Sequence, residues 1–493
     1  MSVAVRERFG GLTRAEQGAV GFVVLLAALL FLGLLTGGLA PTYFLYLVGL
    51  VGMYVLLSFG LNVQWGYTGL INFSVAAFFG LGAYGTALLT AGNSPLGVEG
   101  SRLLGIIPLT IIGLLVAIVL AVVVAVAIGI PTLRLRADYL AIASLGLAEV
   151  VRLVFLNQRD WTNGSAGLRG IPGFFDGWPV LETFPEAMPG LRVEALELSI
   201  PGVFSTEILG FTLGTPFWQA LLNVAFVLVL VGIVFAVLRR AHRSPWGRVM
   251  RTIRSDEDLA EALGKDTYAF KMQAFVLGSV IMALAGVFYA HLNLFVSPGD
   301  LEPINTFYVW IAVILGGSGS NRGAMFGGFV VIAIREGTRF LGELLPGALP
   351  TAGIPFTDLV VSFPTVIETT YTTVVNNFAS TRLLAVGLLI VLVMRFRPQG
   401  MLPPQRELIW PRSVAESAGP GETNPRETIE EEATATAHAA DASAGVGDDG
   451  QTAGDATDAE PAGDDSTPDA SGPDDGTADG SEDAPDEGGG RNE

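Results

Sequence analysis

The chain has 493 residues, of which 51% are hydrophobic and only 15% charged, and its mean hydropathy is +0.53. So apolar a composition excludes an ordinary soluble enzyme, because only lipid can cover that much apolar surface. Cysteine is absent and only three histidines occur, which excludes disulfides and thiolate metal sites and argues against a histidine metal site.

Apolar runs that suit a bilayer recur along the chain, since a helix crosses the hydrocarbon core with about 20 residues. We predict about ten such spans, at residues 18–36, 43–62, 68–91, 103–130, 137–156, 216–238, 268–291, 305–318, 323–341 and 378–395. The first is too long for the apolar core of a signal peptide, so we expect it to stay as a helix. The predicted fold is therefore an all-α polytopic membrane protein with about ten transmembrane helices.

Basic residues predict which side of the membrane each loop faces, because arginine and lysine concentrate in short cytoplasmic loops. Two arginines follow the fourth span, eight basic residues lie in 239–271, and two arginines follow the last span. With ten spans, all three segments share one side. We expect that side, and both chain termini, to be cytoplasmic.

The negative charge is concentrated at the end of the chain. Residues 413–493 hold 23 acidic and two basic residues, whereas the rest of the chain holds 24 acidic and 26 basic residues. Such a tail cannot bury enough apolar surface to offset its ordering entropy, so we predict it to be disordered, with a solvating or a docking role. The predicted organisation is a cytoplasmic N-terminus (1–17), a transmembrane domain (18–402) with external loops at 157–215 and 342–377 and a cytoplasmic loop at 239–267, and the acidic cytoplasmic tail (413–493).

The cytoplasmic loop between spans six and seven carries two sets of helix-start signals. Ser244 can cap a helix that has Pro245 at its first position, where the missing N–H costs nothing. A second start is predicted at Ser255, with Asp258 completing a capping box, and Gly264 is placed to end that helix in a left-handed conformation. The two short helices are either a connector packed on the membrane surface or a rigid knob that fits a groove on a soluble partner.

This loop resembles the coupling loop of ABC-importer permeases of the branched-chain amino acid (LivM/LivH-type) family, and the chain as a whole is LivM-like. The matching residues are Ser244, Gly247, Arg248, Ile253, Arg254, Asp256, Glu257, Ala260, Glu261 and Gly264. Thr252 and Leu259 depart from the family pattern, and Val75 stands where many members carry a histidine. Further matching blocks in family order extend the resemblance over about residues 43–402, and they include 66–70, 76–84, 162–172 and 397–401.

The resemblance implies the permease subunit of an importer for branched-chain amino acids in the plasma membrane. It implies that two cytoplasmic ABC ATPase subunits bind and hydrolyse the ATP, so this chain is not an enzyme and holds no cofactor. The sequence also lacks a phosphate-binding loop motif. The other expected partners are a second homologous permease chain, an extracytoplasmic substrate-binding protein and membrane lipid, and not nucleic acid. Coupling to the ATPases is expected at Arg248, Arg254, Glu257, Ala260, Glu261 and Gly264.

Polar residues within the spans are candidates for the substrate pathway. Asn72 and Ser74 interrupt the third span and must face the bundle, where they either line the pathway or bond neighbouring helices. Glu149 and Arg152 lie one turn apart in the fifth span, and they form either a structural ion pair or part of the pathway or gate.

A second group of polar residues lies near span ends. Thr162 and Ser165 belong to a polar, flexible segment that suits either solute contact or helix capping. Arg335 and Glu336, in the ninth span, are expected to be a packing pair. No convergent set of His, Asp or Ser residues predicts a catalytic or metal site.

Other functions stay open beside the favoured one. A related permease could carry urea or another small polar solute. A stand-alone secondary carrier would use membrane carboxylates for ion coupling and would not need a loop for docking a partner. A membrane enzyme would need catalytic side chains clustered at one face. The loop at 244–264 favours the importer, but it does not choose the solute.

Overall fold

The computed structural model describes residues 40–336 and scattered positions at 18–34 and 384–403. Within the first stretch it omits 98–99, 101, 104–105, 194–195, 201–203 and 209–210. The predicted first and tenth spans are thus described only at single positions. The predicted N-terminus (1–17), external loop (342–377) and acidic tail (413–493) lie outside the described residues.

The described residues are predominantly helical, and the predicted all-α fold is confirmed. The α-helices, in chain order, are α1 (Pro41–Leu61), α2 (Val75–Thr90), α3 (Leu109–Thr132), α4 (Ala137–Asn157), α5 (Arg159–Thr162), α6 (Phe184–Ala187), α7 (Thr215–Arg243), α8 (Pro245–Ser255), α9 (Glu257–Ala262), α10 (Thr267–Asn293), α11 (Pro303–Gly316) and α12 (Asn321–Arg335). A π-helical turn, Asn62–Tyr67, extends α1.

Several of these helices can cross a membrane by length and composition. Among the described residues, five segments meet both requirements: Pro41–Tyr67, Leu109–Thr132, Asp138–Asn157, Thr215–Arg243 and Thr267–Asn293. The apolar helices α2 and α11 are shorter. Because the chain passes back and forth through such helices, it is a polytopic membrane protein.

Short strands lie in the connections between the helices. They are β1 (Arg102–Leu103), β2 (Ile107–Pro108), β3 (Leu168–Arg169), β4 (Leu191–Arg192), β5 (Leu196–Ile200), β6 (Phe204–Ile208), β7 (Thr212–Leu213) and β8 (Phe295–Val296). In the described part of the chain they form four antiparallel pairs, β1 with β2, β3 with β8, β4 with β7 and β5 with β6. Leu168 lies opposite Val296, which joins the connection after α4 to the connection after α10.

The helices α1, α2 and α10 form the centre of the bundle, and small residues bring α2 and α10 together. A Cβ built on Gly82 would lie 2.0 Å from the carbonyl oxygen of Ala283, and one on Gly286 would lie 2.0 Å from that of Phe79. The two backbones are therefore in direct contact, a packing that small residues permit in membrane helices. Gly82 therefore serves the close packing of α2 against α10.

The chain between α1 and α2 is not helical throughout, and the predicted start of the third span at residue 68 is wrong, whereas α2 occupies the rest of that span. The backbone is irregular over residues 69–73, and α2 begins only at Val75. Gly69 has a φ of +77°, a conformation that favours glycine. We call residues 62–74 the polar break. Irregular backbone occurs at membrane depth only where protein or water satisfies its polar groups.

Side chains from other helices satisfy the backbone of the polar break. The Oγ of Ser144, in α4, accepts from the N–H of Phe73 at 2.8 Å. The Nε1 of Trp310, in α11, donates to the carbonyl oxygen of Asn72 at 3.1 Å. The polar break therefore lies inside the bundle, between helices that are distant in sequence.

Candidate functional site

The loop at 239–267 contains the helices α8 and α9. Ser244 caps α8, and Pro245 occupies its first position, as predicted. Asp256, and not Ser255, caps α9, because its carboxylate accepts from an N–H in the first turn at 3.0 Å. The predicted capping box of Ser255 and Asp258 is wrong, since Ser255 is the last residue of α8.

Gly264 follows α9 with a φ of +72°, so the predicted left-handed end of this helix is confirmed. A Cβ built on Gly264 would have no neighbour within 4 Å. Leu259 and Leu263 are 50% and 64% exposed, which leaves an apolar surface open beside this turn. We call residues 244–264 the coupling segment.

The predicted coupling residues occupy different environments. Arg248 and Glu261 are exposed, whereas Ala260 is completely buried. Glu257 forms an ion pair with Lys271, in the first turns of α10. Ala260 therefore packs α9 onto the rest of the chain and cannot touch a partner directly. The part that these residues play in coupling stays a prediction.

Arg254 joins the coupling segment to the transmembrane helices. Its Nη1 donates to the carbonyl oxygen of Gly66 in the polar break at 2.5 Å, and its Nη2 donates to the Oγ of Ser318 at 2.9 Å. Ser318 lies in the turn between α11 and α12. Partial burial lowers the pKa of Arg254 below its ordinary value, and an arginine stays charged at neutral pH after such a shift.

Asn62 and Asn321 hold the same elements together. The Oδ1 of Asn62 accepts from the N–H of Gly319 at 2.8 Å, and its Nδ2 donates to the Oδ1 of Asn321 at 3.2 Å. The hydroxyl of Tyr67 donates to the same Oδ1 at 2.5 Å. A displacement of α8 would therefore reach α1 and α12 through short polar contacts.

Asn72 and Ser74 lie together in the polar break, and both are completely buried. The Nδ2 of Asn72 donates to the Oε1 of Gln64 at 2.6 Å, and the N–H of Ser74 donates to the Oδ1 of Asn72 at 2.8 Å. The Nε2 of Gln64 donates to the carbonyl oxygen of Phe275, in α10, at 2.9 Å. The prediction that Asn72 and Ser74 face the bundle is confirmed. Their place in a substrate pathway stays a prediction.

The other candidate pathway residues lie along or just after α4. The Nε and Nη2 of Arg152 donate to the two carboxylate oxygens of Glu149 at 2.9 and 2.6 Å, which is the expected ion pair. The hydroxyl of Thr162 donates to the carbonyl oxygen of Gln158 at 2.8 Å and so closes the turn after α4. Ser165 is exposed. A role of these residues in transport stays a prediction.

A cavity of about 250 Å³ opens between α1, α2, α10, α11 and α12. Arg335, at the end of α12, lines it, and the Nη1 of Arg335 donates to the hydroxyl of Tyr54 at 2.6 Å and to the Oδ1 of Asn305 at 3.2 Å. The Nε of Arg335 lies 3.5 Å from Glu336, the expected packing pair. No motif in the sequence connects Tyr54 and Asn305 with this arginine. The one signal was the charged pair itself.

A bundle of apolar helices, a helix broken inside it and a capped helix pair tied to that break together define a polytopic membrane protein. A family model described as the permease component of the branched-chain amino acid transport system matches residues 43–394. The chain belongs to this family. The LivM-like resemblance seen in the sequence is thereby confirmed.

Named relatives agree with the family match. The chain is 28% identical to the high-affinity branched-chain amino acid transport system permease protein LivM of Escherichia coli, over 72% of this chain and 68% of that protein. It is 24% identical to the probable LivM of Methanocaldococcus jannaschii, over 73% of this chain and 93% of that protein. It is 26% identical to LivH of Escherichia coli, over 58% of this chain and 81% of that protein. No solved structure matches the chain.

Proposed function

We propose that this chain carries branched-chain amino acids inward across the plasma membrane, as one permease subunit of an ATP-driven importer. Two cytoplasmic ABC ATPase subunits bind and hydrolyse the ATP, and the chain itself holds no cofactor. A second, homologous permease chain completes the pathway, and an extracytoplasmic protein delivers the solute. The similarity to both LivM and LivH, each named as a permease of a branched-chain amino acid transport system, supports this proposal.

The contact of Arg254 with the polar break is the observation that carries the mechanism. The coupling segment offers exposed apolar residues on one side, and Arg254 bonds Gly66 and Ser318 on the other. Movement of the ATPases on ATP binding displaces α8, and Arg254 passes that displacement to α1 and α12. ATP thereby shifts the population between two transporter states, because it binds them with different affinity.

The polar break gives this displacement a route into the bundle. Residues 69–73 lack the rigid hydrogen-bond ladder of a helix, and their polar groups are held by Gln64 in the π-helical turn and by side chains of α4 and α11. Such a segment can exchange one set of partners for another as helices move. A stand-alone carrier would have no use for a link from a cytoplasmic helix pair to this segment.

Purification of the full-length chain from its own membranes in mild detergent, followed by mass spectrometry, tests the assembly. We expect two P-loop ATPases and a second permease chain to co-purify. The companion binding protein can then be screened for leucine against urea. A chain that purifies alone and transports leucine in liposomes without ATP would be a secondary carrier, and the proposal would be wrong.

A further inference from the structure

We propose that the end of α7 nearest the coupling segment binds one anionic phospholipid, with the phosphate of its headgroup on Arg239 and Arg243. An open pocket of about 630 Å³ lies at this end of α7. Phe235, Ala236 and three arginines of α7 line it, together with the start of α8. We call it the arginine pocket. The inference goes beyond the proposed function, because it depends neither on the solute nor on ATP.

The arginine pocket is positively charged and has no counterion of its own. Residues 208–255 contain six arginines and no aspartate or glutamate. The side chains of Arg239, Arg240 and Arg243 are exposed, and none of them forms an ion pair or a hydrogen bond with a residue that the structure describes. Like charges one turn apart destabilise a helix, so an anion that lies between them would offset that repulsion.

The helix places two of these arginines on one row. Positions four apart lie above one another on a helix, so Arg239 and Arg243 follow Phe235 along α7. Each guanidinium presents its N–H groups in a planar fork, and two of them one turn apart can bond different oxygens of one phosphate. Arg240 follows Ala236 on the neighbouring row, at the edge of the pocket, and this grip does not need it.

Two general rules account for basic residues at this end of α7 but not for the pocket. Cations stabilise the C-terminus of a helix, and arginines concentrate in cytoplasmic loops. Charge alone satisfies both rules, wherever the side chains point. Arg134 and Arg136, in the turn after α3, are on the same predicted side of the membrane and do not line the arginine pocket. They are therefore the matched comparison.

The exposed apolar face of α7 leads directly into the arginine pocket. Residues 215–238 contain no charged residue, and Val229 and Ile233 are 59% and 56% exposed. Gly232 and Ala236 lie on the same face, and a Cβ built on Gly232 would meet nothing within 4 Å. These small residues leave a shallow groove beside the larger ones. An acyl chain can lie in this groove while its phosphate occupies the arginine pocket.

A phospholipid matches both halves of this surface. A free phosphate would find only exposed arginines, whose charge is screened by salt. An acidic protein surface would match the charge but not the apolar groove that leads to it. In the proposed orientation the arginine pocket lies at the cytoplasmic leaflet, where anionic headgroups collect basic side chains. The surface therefore favours a lipid with a net negative headgroup.

A phosphatidylglycerol that carries a diazirine at the start of one acyl chain tests the site on the full-length chain in mild detergent. On irradiation the diazirine loses N₂, and the carbene inserts into the nearest bonds, which mass spectrometry locates. We expect label between Val229 and Ala236. Unlabelled phosphatidylglycerol should displace it at least about tenfold better than phosphatidylcholine, whose trimethylammonium group cancels the charge of its phosphate. Inorganic phosphate should not displace it.

Charge-matched variants separate the arginine pocket from net charge. The double variant Arg239→Gln, Arg243→Gln should lower labelling at least about tenfold, because each arginine near an anionic headgroup contributes several-fold. The double variant Arg134→Gln, Arg136→Gln removes the same charge from the same side of the membrane and should label nearly as well as the wild type. Ala236→Phe fills the groove without changing the charge and should lower labelling several-fold.

The contrary outcomes are distinct. Label spread evenly over the exposed faces of α3, α4 and α7 would contradict the proposal, and so would an equal loss of label in the two double variants. Displacement by inorganic phosphate as effective as that by lipid would mean a site for an ion only. The labelling is then repeated in the complete complex, where it should persist. Its loss there would mean that a partner protein, and not lipid, occupies this face of α7. None of these outcomes decides the proposed function, which leucine import tests separately.

Discussion

The helices of this bundle fall into two groups that differ in their surroundings. In α1 with its π-helical turn, 78% of the most apolar stretch is buried within the chain, and in α10 67% is buried. In α3, α4 and α7 the buried shares are only 22%, 22% and 28%. The exposed faces of the second group are rich in leucine, valine and isoleucine, so lipid or another chain must cover them. Hydropathy alone does not separate the two groups, because the mean hydropathy of α4 (1.9) is close to those of α1 (2.1) and α10 (2.0).

The polar residues show what the difference means. Gln64, Asn72, Ser74 and Thr86 are all completely buried, and all of them belong to the central elements. The central group is thus constrained by many hydrogen bonds and backbone contacts, whereas the peripheral group buries fewer polar residues, among them Thr110 and Ser144. Matched substitutions in the central and the peripheral helices test this difference.

Replacing Gly82 by leucine should have the largest effect. The new side chain would collide with the backbone of Ala283, which cannot move aside as a flexible side chain could. We expect a loss of more than about 4 kcal/mol and no folded protein in detergent, measured by gel filtration. Gly146→Leu, on the exposed face of α4 where a Cβ meets nothing within 4 Å, is the matched control. If Gly146→Leu also gave no folded protein, another chain would have to pack tightly against this face of α4.

Replacing Thr306 by valine should have a smaller effect. Its hydroxyl oxygen accepts from the N–H of Ala76 at 3.2 Å, and the isosteric valine leaves that buried N–H without its partner. We expect the free energy of unfolding to fall by about 1–3 kcal/mol, measured by denaturation in detergent. Thr132→Val in α3 is the control, because the hydroxyl of Thr132 bonds only a carbonyl of its own helix. Equal losses in the two variants would contradict the distinction between centre and periphery.

Replacing Gly264 tests the effect of backbone conformation alone, because a side chain there meets no neighbour. Valine there would adopt the left-handed conformation at a cost of about 1–2 kcal/mol, although space is open around it. We expect Gly264→Val to reduce ATP-driven leucine uptake several-fold while ATP hydrolysis continues. Asparagine tolerates positive φ, so Gly264→Asn should transport nearly as well as the wild type. Equal uptake by the two variants would remove the coupling role of this turn.

Val119, on the exposed face of α3, should be the least sensitive of these positions. It is 60% exposed within the chain, so Val119→Ala removes few contacts. We expect the free energy of unfolding of the isolated chain to change by less than about 0.5 kcal/mol. A loss of 1 kcal/mol or more only in the assembled complex would locate the interface with the second permease on α3.

The coupling segment could be predicted from the sequence because local residues determine where its helices begin and end. Pro245 at a helix start and Gly264 in a left-handed turn act within a few residues of themselves. The position of the second cap was wrong by a single residue, because Ser255 and Asp256 are both good caps and α8 continues through Ser255.

The polar break and the cavity could not be predicted in the same way. Residues 69–73 include Gly69 and Asn72, but the side chains that bond this irregular backbone, Ser144 and Trp310, are far away in sequence. Tyr54 and Arg335 are 281 positions apart. Periodicity and short motifs carry no information about such pairs, so the arginine alone suggested only local packing.

The amount of ATP hydrolysed per leucine imported tests the central claim most directly. It is measured in proteoliposomes that hold the complete complex, with Arg254→Ala beside the wild type and with Arg240→Ala, an exposed arginine of α7, as the control. The account predicts that Arg254→Ala still hydrolyses ATP but imports at least about tenfold less leucine, because the bonds to Gly66 and Ser318 are lost. Arg240→Ala should keep the wild-type ratio. If Arg254→Ala also kept that ratio, force would reach the bundle by another route and the account would be contradicted.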